Sequence, residues 1–338
     1  MSRAPLLLSM GDACGIGPEI SVAAWAAETR GDLCLVGEVQ VLRRAARQMG
    51  LDCPVVRLSD PQELAPPGAL PVWQPPGLPD DLLAQPQGGI SASAGAAAAC
   101  CIEAAVREQQ AGRSAALVTA PIHKEALHAA GVPFPGHTEM LQSLCADAQG
   151  RLPPVRMMLA NEELRVVLVT IHVALRQAVD LITAERVLET LRITDAALRR
   201  AGIARPRIAV AGLNPHAGEG GLFGDEEIRH IAPAIAQARA QGLDASGPYA
   251  ADTIFMRARH APPAHPGEFD AVLAMTHDQG LIPVKYLGVE QGVNITLGLP
   301  LLRTSPDHGT AFDIAGQGVA DPASMRAAIR MARRLMGA

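Results

Sequence analysis

Four histidines each follow an apolar run that is typical of a buried β-strand. They are His123, His172, His216 and His277. The carboxyl ends of parallel strands share one edge of a sheet, where α/β proteins bind ligands, so these imidazoles could converge. Imidazole is the commonest metal ligand, and three protein ligands with one open position are typical of a catalytic metal site. A single histidine at a strand end is more often a hydrogen-bonded loop residue, so both interpretations stay open at this point.

A glycine-rich loop, GEGGLFGDEE, follows His216 at 218–227. A P-loop needs Lys and then Ser or Thr after its last glycine, and a dinucleotide fingerprint needs G-x-G-x-x-G, so neither motif is present. The acidic residues 225–227 favour a helix start, because carboxylates stabilise the positive end of the helix dipole. The glycines allow tight turns that leave His216 at the strand end, although a flexible connection explains them as well.

Two further turns are candidate anion or nucleotide sites. In GDACGIGPEI (11–20), the Pro-Glu pair suits a first helical turn, and bare amides there could hold a phosphate. A tight strand-to-helix turn explains the same residues. In SPDHGTAFDIAG (305–316), a predicted short helix has the same potential. The predicted cofactor-binding residues are therefore Gly15, Gly17, Asp307 and His308.

Residue types that bind anions recur late in the chain. Lys285, Asn294 and Arg303 stand nine residues apart, on or beside predicted strands. Lys and Arg together can hold a phosphate or a carboxylate, and Arg can do so with two parallel hydrogen bonds. Earlier, His137 and Thr138 begin a predicted helix, where Thr138 is either an N-cap or a hydroxyl that faces substrate.

Short apolar runs alternate with longer helical patterns, which favours an α/β protein with a largely parallel sheet. The predicted strands are 5–10, 33–37, 115–120, 155–160, 165–172, 207–214, 270–277 and 292–298. The predicted helices are 18–29, 38–49, 91–110, 184–201, 225–241 and 321–336. The alanine-rich helix 91–110 predicts close packing, and the proline-rich stretch 66–81 predicts a surface excursion with a short hairpin.

Composition argues against several classes of partner. The net charge of -5 and an aromatic content of 3% do not favour nucleic-acid binding, which needs a basic patch or stacking platforms. The apolar stretch near the N-terminus is too short to span a membrane. The six cysteines form no CxxC pair, which favours a reducing cytoplasm.

Seven strings together resemble the 4-hydroxythreonine-4-phosphate dehydrogenase family of pyridoxal phosphate biosynthesis, from about residue 5 to 335. They are GDACGIGPEI, APIHK, GHTEM, LNPHAGEGGLFGDEE, GPYAADTIF, THDQGLIPVKY and GVNITLGLPLLRTSPDHGTAFDIAGQG. The resemblance implies a fold like isocitrate and isopropylmalate dehydrogenases, with two α/β/α lobes and an active site in the cleft at a homodimer interface. The lobes would be 1–135 plus 300–338, and 136–299, the second carrying the metal ligands and dimer contacts.

The resemblance also implies an activity and a set of site residues. It implies NAD- or NADP-linked oxidation of 4-phosphooxy-L-threonine, with decarboxylation to 3-amino-2-oxopropyl phosphate. The family's metal ligands fall on His172, His216 and His277, of which His277 would come from the partner subunit, and Asp252 matches an acidic position nearby. Zinc, cobalt or magnesium would be the divalent cation. The substrate contacts fall on His137, Thr138, Lys285, Asn294 and Arg303.

Two departures from the family pattern bear on substrate identity. Ala13 and Cys14 replace Pro-Ala in the opening motif, and Thr276 replaces Tyr before His277. Relatives of the same fold oxidise four-carbon phosphorylated sugar acids or a terephthalate dihydrodiol, and these are the alternative substrates. The complete phosphate-binding set favours a phosphorylated one. A metallo-hydrolase and a non-catalytic phospho-ligand binding protein are the alternatives from other classes.

Overall fold

The structure is a computed structural model that describes residues 4–28 and 31–336. Its strands are β1 (Leu6–Ser9), β2 (Leu33–Val36), β3 (Val55–Leu58), β4 (Leu70–Trp73), β5 (Ala116–Thr119), β6 (Arg156–Ala160), β7 (Arg165–Leu168), β8 (Arg207–Ala211), β9 (Asp244–Tyr249), β10 (His260–Ala261), β11 (His265–Pro266), β12 (Ala271–Ala274), β13 (Val293–Leu297) and β14 (Arg303–Pro306). Its α-helices are α1 (Gly17–Ala26), α2 (Val39–Gln48), α3 (Ala92–Gln110), α4 (Lys124–Ala129), α5 (His137–Leu144), α6 (Leu175–Leu181), α7 (Ala184–Arg200), α8 (Ala232–Ala240), α9 (Ala251–Ala258), α10 (His277–Tyr286) and α11 (Ala323–Leu335). Shorter helical turns lie at Leu82–Ala84, Pro215–Gly221, Glu227–Ile231 and Val289–Gln291.

The chain divides into two compact units. Unit 1 is Met1–Pro153 with Leu299–Arg333, and unit 2 is Pro154–Gly298 with Arg334–Ala338. The first division lies later than the expected boundary at 135/136, because the segment that carries α5 packs against α3. There the Gln110 side chain donates a hydrogen bond to the carbonyl of Leu144 at 2.8 Å.

Unit 1 is built on parallel strands in the order β3-β4-β2-β1-β5-β14. All four residues of β1, β2 and β5 are buried, as expected for a parallel sheet covered on both faces. The alanine-rich α3 packs closely on α4, as its small residues predict. A Cβ added at Gly95 would lie 2.1 Å from the carbonyl oxygen of Ala126.

Unit 2 has the strand order β13-β6-β7-β12-β8-β9. β6 pairs antiparallel with both β13 and β7, whereas β7, β12, β8 and β9 run parallel. A buried core including Val166, Leu168 and Val272 lies against this sheet, with Ile254 of α9 and Leu281 of α10 among its members.

The predicted strands and helices are present with trimmed ends, and the α/β class is confirmed. The predicted helix 225–241 is a π-helical turn followed by α8, and residue 29 of the predicted helix 18–29 lies outside the described residues. The hairpin expected in 66–81 is wrong, because β4 lies between β2 and β3 and pairs with both in parallel. The short helix expected after Thr310 is also wrong, since turns occupy 312–316.

Strands without strong apolar patterns were missed by sequence. β9 carries Gly and Pro, and β14 reads RTSP yet is buried along its whole length. Within the described residues, none of the helices is both long and apolar enough to cross a bilayer.

Candidate functional site

Three of the flagged histidines follow adjacent parallel strands of unit 2. His172 comes after β7, His277 begins α10 directly after β12, and His216 comes after β8. The strand order β7-β12-β8 therefore places all three beyond the carboxyl ends of neighbouring strands, the edge at which α/β sheets bind ligands. The remaining one, His123, precedes α4 of unit 1 and stacks against Phe312, with ring centroids 4.7 Å apart.

Side-chain hydrogen bonds connect these strand ends to one another. The Thr170 hydroxyl donates to the carbonyl of Met275 at 2.8 Å, which joins the ends of β7 and β12. The Gln279 amide accepts from the Met275 N–H and donates to the carbonyl of Gly212, both at 2.7 Å, which joins β12 to β8. These bonds fix the backbone from which the three histidines project.

His172 and His277 lie side by side. Their ring centroids are 5.5 Å apart, with the planes tilted by 45°. Two imidazoles that share one metal ion at nitrogen–metal distances of about 2.1 Å have ring centres roughly 5 Å apart, so the pair fits as two ligands. His277 Nδ1 lies 2.8 Å from Asp278 Oδ1, an arrangement that places the ring proton on Nδ1 and leaves Nε2 for a ligand.

His216 is exposed and lies in a different local setting. Its ring centroid is 6.3 Å from that of Phe223, and its φ of 53° is in the left-handed region, as is the φ of 42° at His172. Non-glycine residues adopt this region rarely, and such strain clusters at functional sites. Over residues 4–28 and 31–336, no three His, Cys, Asp or Glu side chains come close enough to hold a metal ion.

Asp252 lies in the first turn of α9 and is exposed. This helix packs against the turn Pro215–Gly221, which carries His216. The structure therefore places the acidic position on an element that adjoins the His216 turn.

Arg303 is a buried cation in unit 1. It is 4% exposed, and its Nε and Nη2 donate to the hydroxyl of Thr119 at 3.0 and 2.7 Å. Burial lowers the pKa of Arg303 to about 9, which still leaves the guanidinium charged at neutral pH. A guanidinium can bind a phosphate or carboxylate through two parallel charge-assisted hydrogen bonds, so this position suits such a ligand.

His137 lies near Arg303 at the start of α5. Burial, and then the charge of Arg303, lower the pKa of His137 well below its ordinary value, so its imidazole is neutral at pH 7. Its Nε2 is shielded from solvent and has no hydrogen-bond partner among the described residues. The helix is N-capped by Gly136 without a side-chain bond, so the N-cap interpretation of Thr138 is wrong.

The other two predicted substrate residues belong to unit 2. Asn294 is half-buried in β13, where it pairs in register with Leu159 of β6. Lys285 is exposed in the last turn of α10, so its expected place on or beside a strand is wrong. Of the three residues spaced nine apart, Asn294 and Arg303 do lie on strands, in β13 and β14.

The first predicted cofactor turn is tightly packed. Gly15 N–H donates to the carbonyl of Asp12 at 3.1 Å, and Ile16 N–H donates to that of Thr310 at 2.9 Å. The expectation of bare amides is therefore wrong for these two residues. A Cβ at Gly15 would lie 2.8 Å from the carbonyl oxygen of Thr310. These contacts account for Gly15 as a packing requirement between two loops of unit 1.

The second predicted cofactor turn is tied to the first. A Cβ at Gly17 would lie 2.4 Å from the Met10 carbonyl oxygen, and Glu19 in the same helix start accepts from the N–H groups of Gly316 and Gly318 at 2.9 and 2.7 Å. Asp307 donates its N–H to Ser324 at 3.4 Å, and His308 is exposed.

The sequence did not predict a role at these sites for four residues. They are Thr119, Asp278, Gln279 and Glu227. The adjacency of Asp278 to His277 was a usable signal, because metal-binding histidines commonly donate to a carboxylate. In the sequence, Glu227 is one of three acidic residues that favour a helix start, and Thr119 lies in an apolar run with nothing to mark it.

Comparison with known proteins shows the family of this chain. Residues 30–332 match the family described as pyridoxal phosphate biosynthetic protein PdxA. The chain belongs to that family. It is 49% identical over 334 residues to a 4-hydroxythreonine-4-phosphate dehydrogenase of Beijerinckia indica subsp. indica, covering 98% of this chain and 95% of the relative. The family predicted from the sequence is thus confirmed.

Two crystal structures of relatives are informative. A 4-hydroxythreonine-4-phosphate dehydrogenase from Klebsiella pneumoniae superposes with a TM-score of 0.87 at 42% identity, covering 98% of this chain and 99% of that one. A terephthalate 1,2-cis-dihydrodiol dehydrogenase from Burkholderia xenovorans LB400 has a TM-score of 0.69 at 33% identity, with 98% of each chain covered. The chain is more similar to the phosphate-substrate enzyme by both measures.

Proposed function

We propose that this PdxA-family chain is a metal-dependent dehydrogenase that oxidises 4-phosphooxy-L-threonine with NAD or NADP. The C3 alcohol loses a hydride to the nicotinamide and a proton from its hydroxyl. The resulting β-keto acid loses carbon dioxide to give 3-amino-2-oxopropyl phosphate. The observation that carries the proposal is the placement of three histidines beyond adjacent parallel strands. The chain that carries them is 49% identical to a 4-hydroxythreonine-4-phosphate dehydrogenase.

His172, His216 and His277 would hold the cation. The ring separation of 5.5 Å and the Asp278 contact at His277 fit two imidazole ligands on one ion. A bound divalent cation lowers the pKa of a coordinated hydroxyl and polarises a carbonyl. Three nitrogen donors suit zinc or cobalt, and substrate oxygens would also accommodate magnesium.

Arg303 would hold an anionic group of the substrate. Its buried charge has its donors directed by Thr119, so a phosphate that binds there meets a preorganised cation. We propose His137, Thr138, Lys285 and Asn294 as the other substrate contacts. The phosphate-binding character of this set favours a phosphorylated substrate over a dihydrodiol.

The nicotinamide cofactor would lie against the connected loops around Gly15, Gly17, Asp307 and His308. The support is the bonding of Glu19 to the 316–318 backbone, which joins these two loops. The sequence has no G-x-G-x-x-G motif that would place the cofactor at another loop. We expect this enzyme to work in the cytoplasm. All six cysteines lie among the described residues and are free thiols, which is consistent with a reducing compartment.

We also propose a homodimer with shared active sites. An interface on unit 2 would cover large apolar side chains that are exposed there. They are Val173, Leu175, Leu222, Phe223, Ile228, Met256, Ile282 and Tyr286. His172 and His277 already approach each other within one chain, so the histidine that crosses to the partner needs a direct test.

The activity test is a panel of phosphorylated four-carbon hydroxy acids, assayed for NADH and NADPH formation with and without chelator. We expect turnover of 4-phosphooxy-L-threonine that chelator abolishes and added metal restores. His216→Ala should lose most of kcat, whereas His128→Ala, an exposed histidine of α4, should not. Preferential turnover of D-threonate or D-erythronate 4-phosphate, or hydrolysis without a nicotinamide, would contradict the proposal.

Mixed dimers test the shared site. Each dimer would combine two chains that carry different alanine substitutions at His172, His216 or His277. If one pairing recovers activity at one of its two active sites, the two substituted ligands come from different subunits. If no pairing recovers activity, the proposal of a shared site is overturned.

A further inference from the structure

The backbone around His216 is held in an unusual conformation. Residues 216–220 have φ values of 53°, 53°, 80°, 44° and 66°, so five consecutive residues are left-handed. Three of them, His216, Ala217 and Glu219, are not glycine. L-residues adopt this region singly and at a cost in free energy, so a run of this kind persists only if surrounding contacts enforce it.

A buried carboxylate meets the chain where this run begins. Glu227 is 3% exposed, and its Oε1 accepts from the N–H groups of Leu213 and Asn214, both at 2.7 Å. Its Oε2 accepts from Asn214 Nδ2 at 2.9 Å. One side chain thus takes three donors from two of the four residues that connect β8 to the left-handed turn.

The turn also closes around this carboxylate. A Cβ at Gly218 would lie 2.8 Å from Glu227 Oε2, and one at Gly212 would lie 3.1 Å from Oε1. Phe223 N–H donates to the Gly218 carbonyl at 3.1 Å and completes the loop. Only glycine at these two positions lets the backbone approach so closely.

Glu227 sits at the start of the π-helical turn Glu227–Ile231. Such turns are rare in proteins overall, and those that occur are often at functional sites. The neighbouring Glu226 also accepts from Asn214 Nδ2, at 2.6 Å, but it takes no backbone N–H from the strand end and is more exposed. Only Glu227 therefore holds the backbone at the end of β8, which makes Glu226 a matched control.

We propose that Glu227 is the positioning residue that holds His216 in its left-handed conformation and so sets the metal affinity of the site. The second half of this inference rests on the proposed function of His216 as a metal ligand. Glu227 acts through the backbone of Leu213 and Asn214, without a contact to metal or substrate.

The test compares Glu227→Gln with Glu226→Gln. Gln at 227 keeps the shape, but turns an NH₂ group toward the Asn214 amide or the two backbone N–H groups, so one set of hydrogen bonds must break. We expect the dissociation constant for Co²⁺, measured by titration of the metal-free protein, to rise by about tenfold to a hundredfold, the usual effect of losing a supporting partner. Glu226→Gln should change it little.

A second readout is independent of metal. The ¹³Cα and ¹³Cβ shifts of His216, assigned in histidine-labelled protein by difference from His216→Ala, report its φ. We expect them to move toward ordinary values in Glu227→Gln and to stay in Glu226→Gln. If Glu227→Gln does not fold, Asn214→Ala, which removes one of the three donors and leaves the two backbone bonds, should give smaller changes in the same direction.

The outcomes separate the two proposals. Wild-type protein that binds no Co²⁺ overturns the metal function of His216, and the shift measurement still decides whether Glu227 positions that residue. Unchanged His216 shifts in Glu227→Gln, or equal effects of the two glutamine variants, overturn the role of Glu227.

Discussion

The buried pair of Thr119 and Arg303 leads to a quantitative prediction. Thr119 is fully buried, and its hydroxyl accepts both the Nε and the Nη2 donor of the guanidinium. Thr119→Val keeps nearly the same volume and removes that acceptor. Hydrogen bonds to charged groups contribute about 1.5–3 kcal/mol, and here both share one oxygen, so we expect a loss of about 2 kcal/mol in the free energy of unfolding.

The same change should weaken anion binding. Arg303 loses the Thr119 contact, which helps to direct its donors, and we expect the Kd for inorganic phosphate and the KM for the phosphorylated substrate to rise by about tenfold, or about 1.4 kcal/mol. Urea unfolding with an unchanged m-value gives the stability, and calorimetric titration gives the Kd.

Thr304→Val is the matched control for this experiment. Thr304 is equally buried on the adjacent strand β14, and its hydroxyl donates to the neutral carbonyl of Ala328 at 2.9 Å. We expect a loss of about 1 kcal/mol in stability and no change in phosphate affinity. Wild-type phosphate binding by Thr119→Val, or equal effects of the two variants on that binding, would refute the reasoning.

Asp278→Asn should weaken metal binding by about tenfold, which is the low end of the usual range because Asp278 is exposed. If the variant binds metal as tightly as the wild type in a metal titration, His277 Nε2 does not have the proposed role. The lowered pKa of His137 means that the unfolded state binds a proton more readily than the folded state, so stability is retained above a pH of roughly 6.5 and lost as the pH falls below it. In His137→Asn the urea midpoint should therefore decline less steeply on acidification than in the wild type. Parallel curves for the two proteins would exclude this cause. Gly95→Ala places a methyl 2.1 Å from the carbonyl oxygen of Ala126, and should cost about 1–3 kcal/mol by urea unfolding although alanine favours helices; a stabilised variant would show that α3 and α4 separate freely.

The sequence determined the apolar strands and the long helices of this protein. Continuous apolar runs such as β1 and β5 are buried on both faces, as is usual for strands of a covered parallel sheet. The strand ends followed from the same runs, so His172, His216 and His277 were correctly placed beyond three strands. The family followed from long strings of residues, and is confirmed.

Only the tertiary structure decided which strands are neighbours and which polar groups are buried. β4 and β14 have weak or polar patterns and become strands because adjacent strands pair with them. The hydroxyl of Thr119 and the carboxylate of Glu227 look ordinary in the sequence. Their importance comes from donors far along the chain or across a turn, which meet them only after folding removes water from both partners.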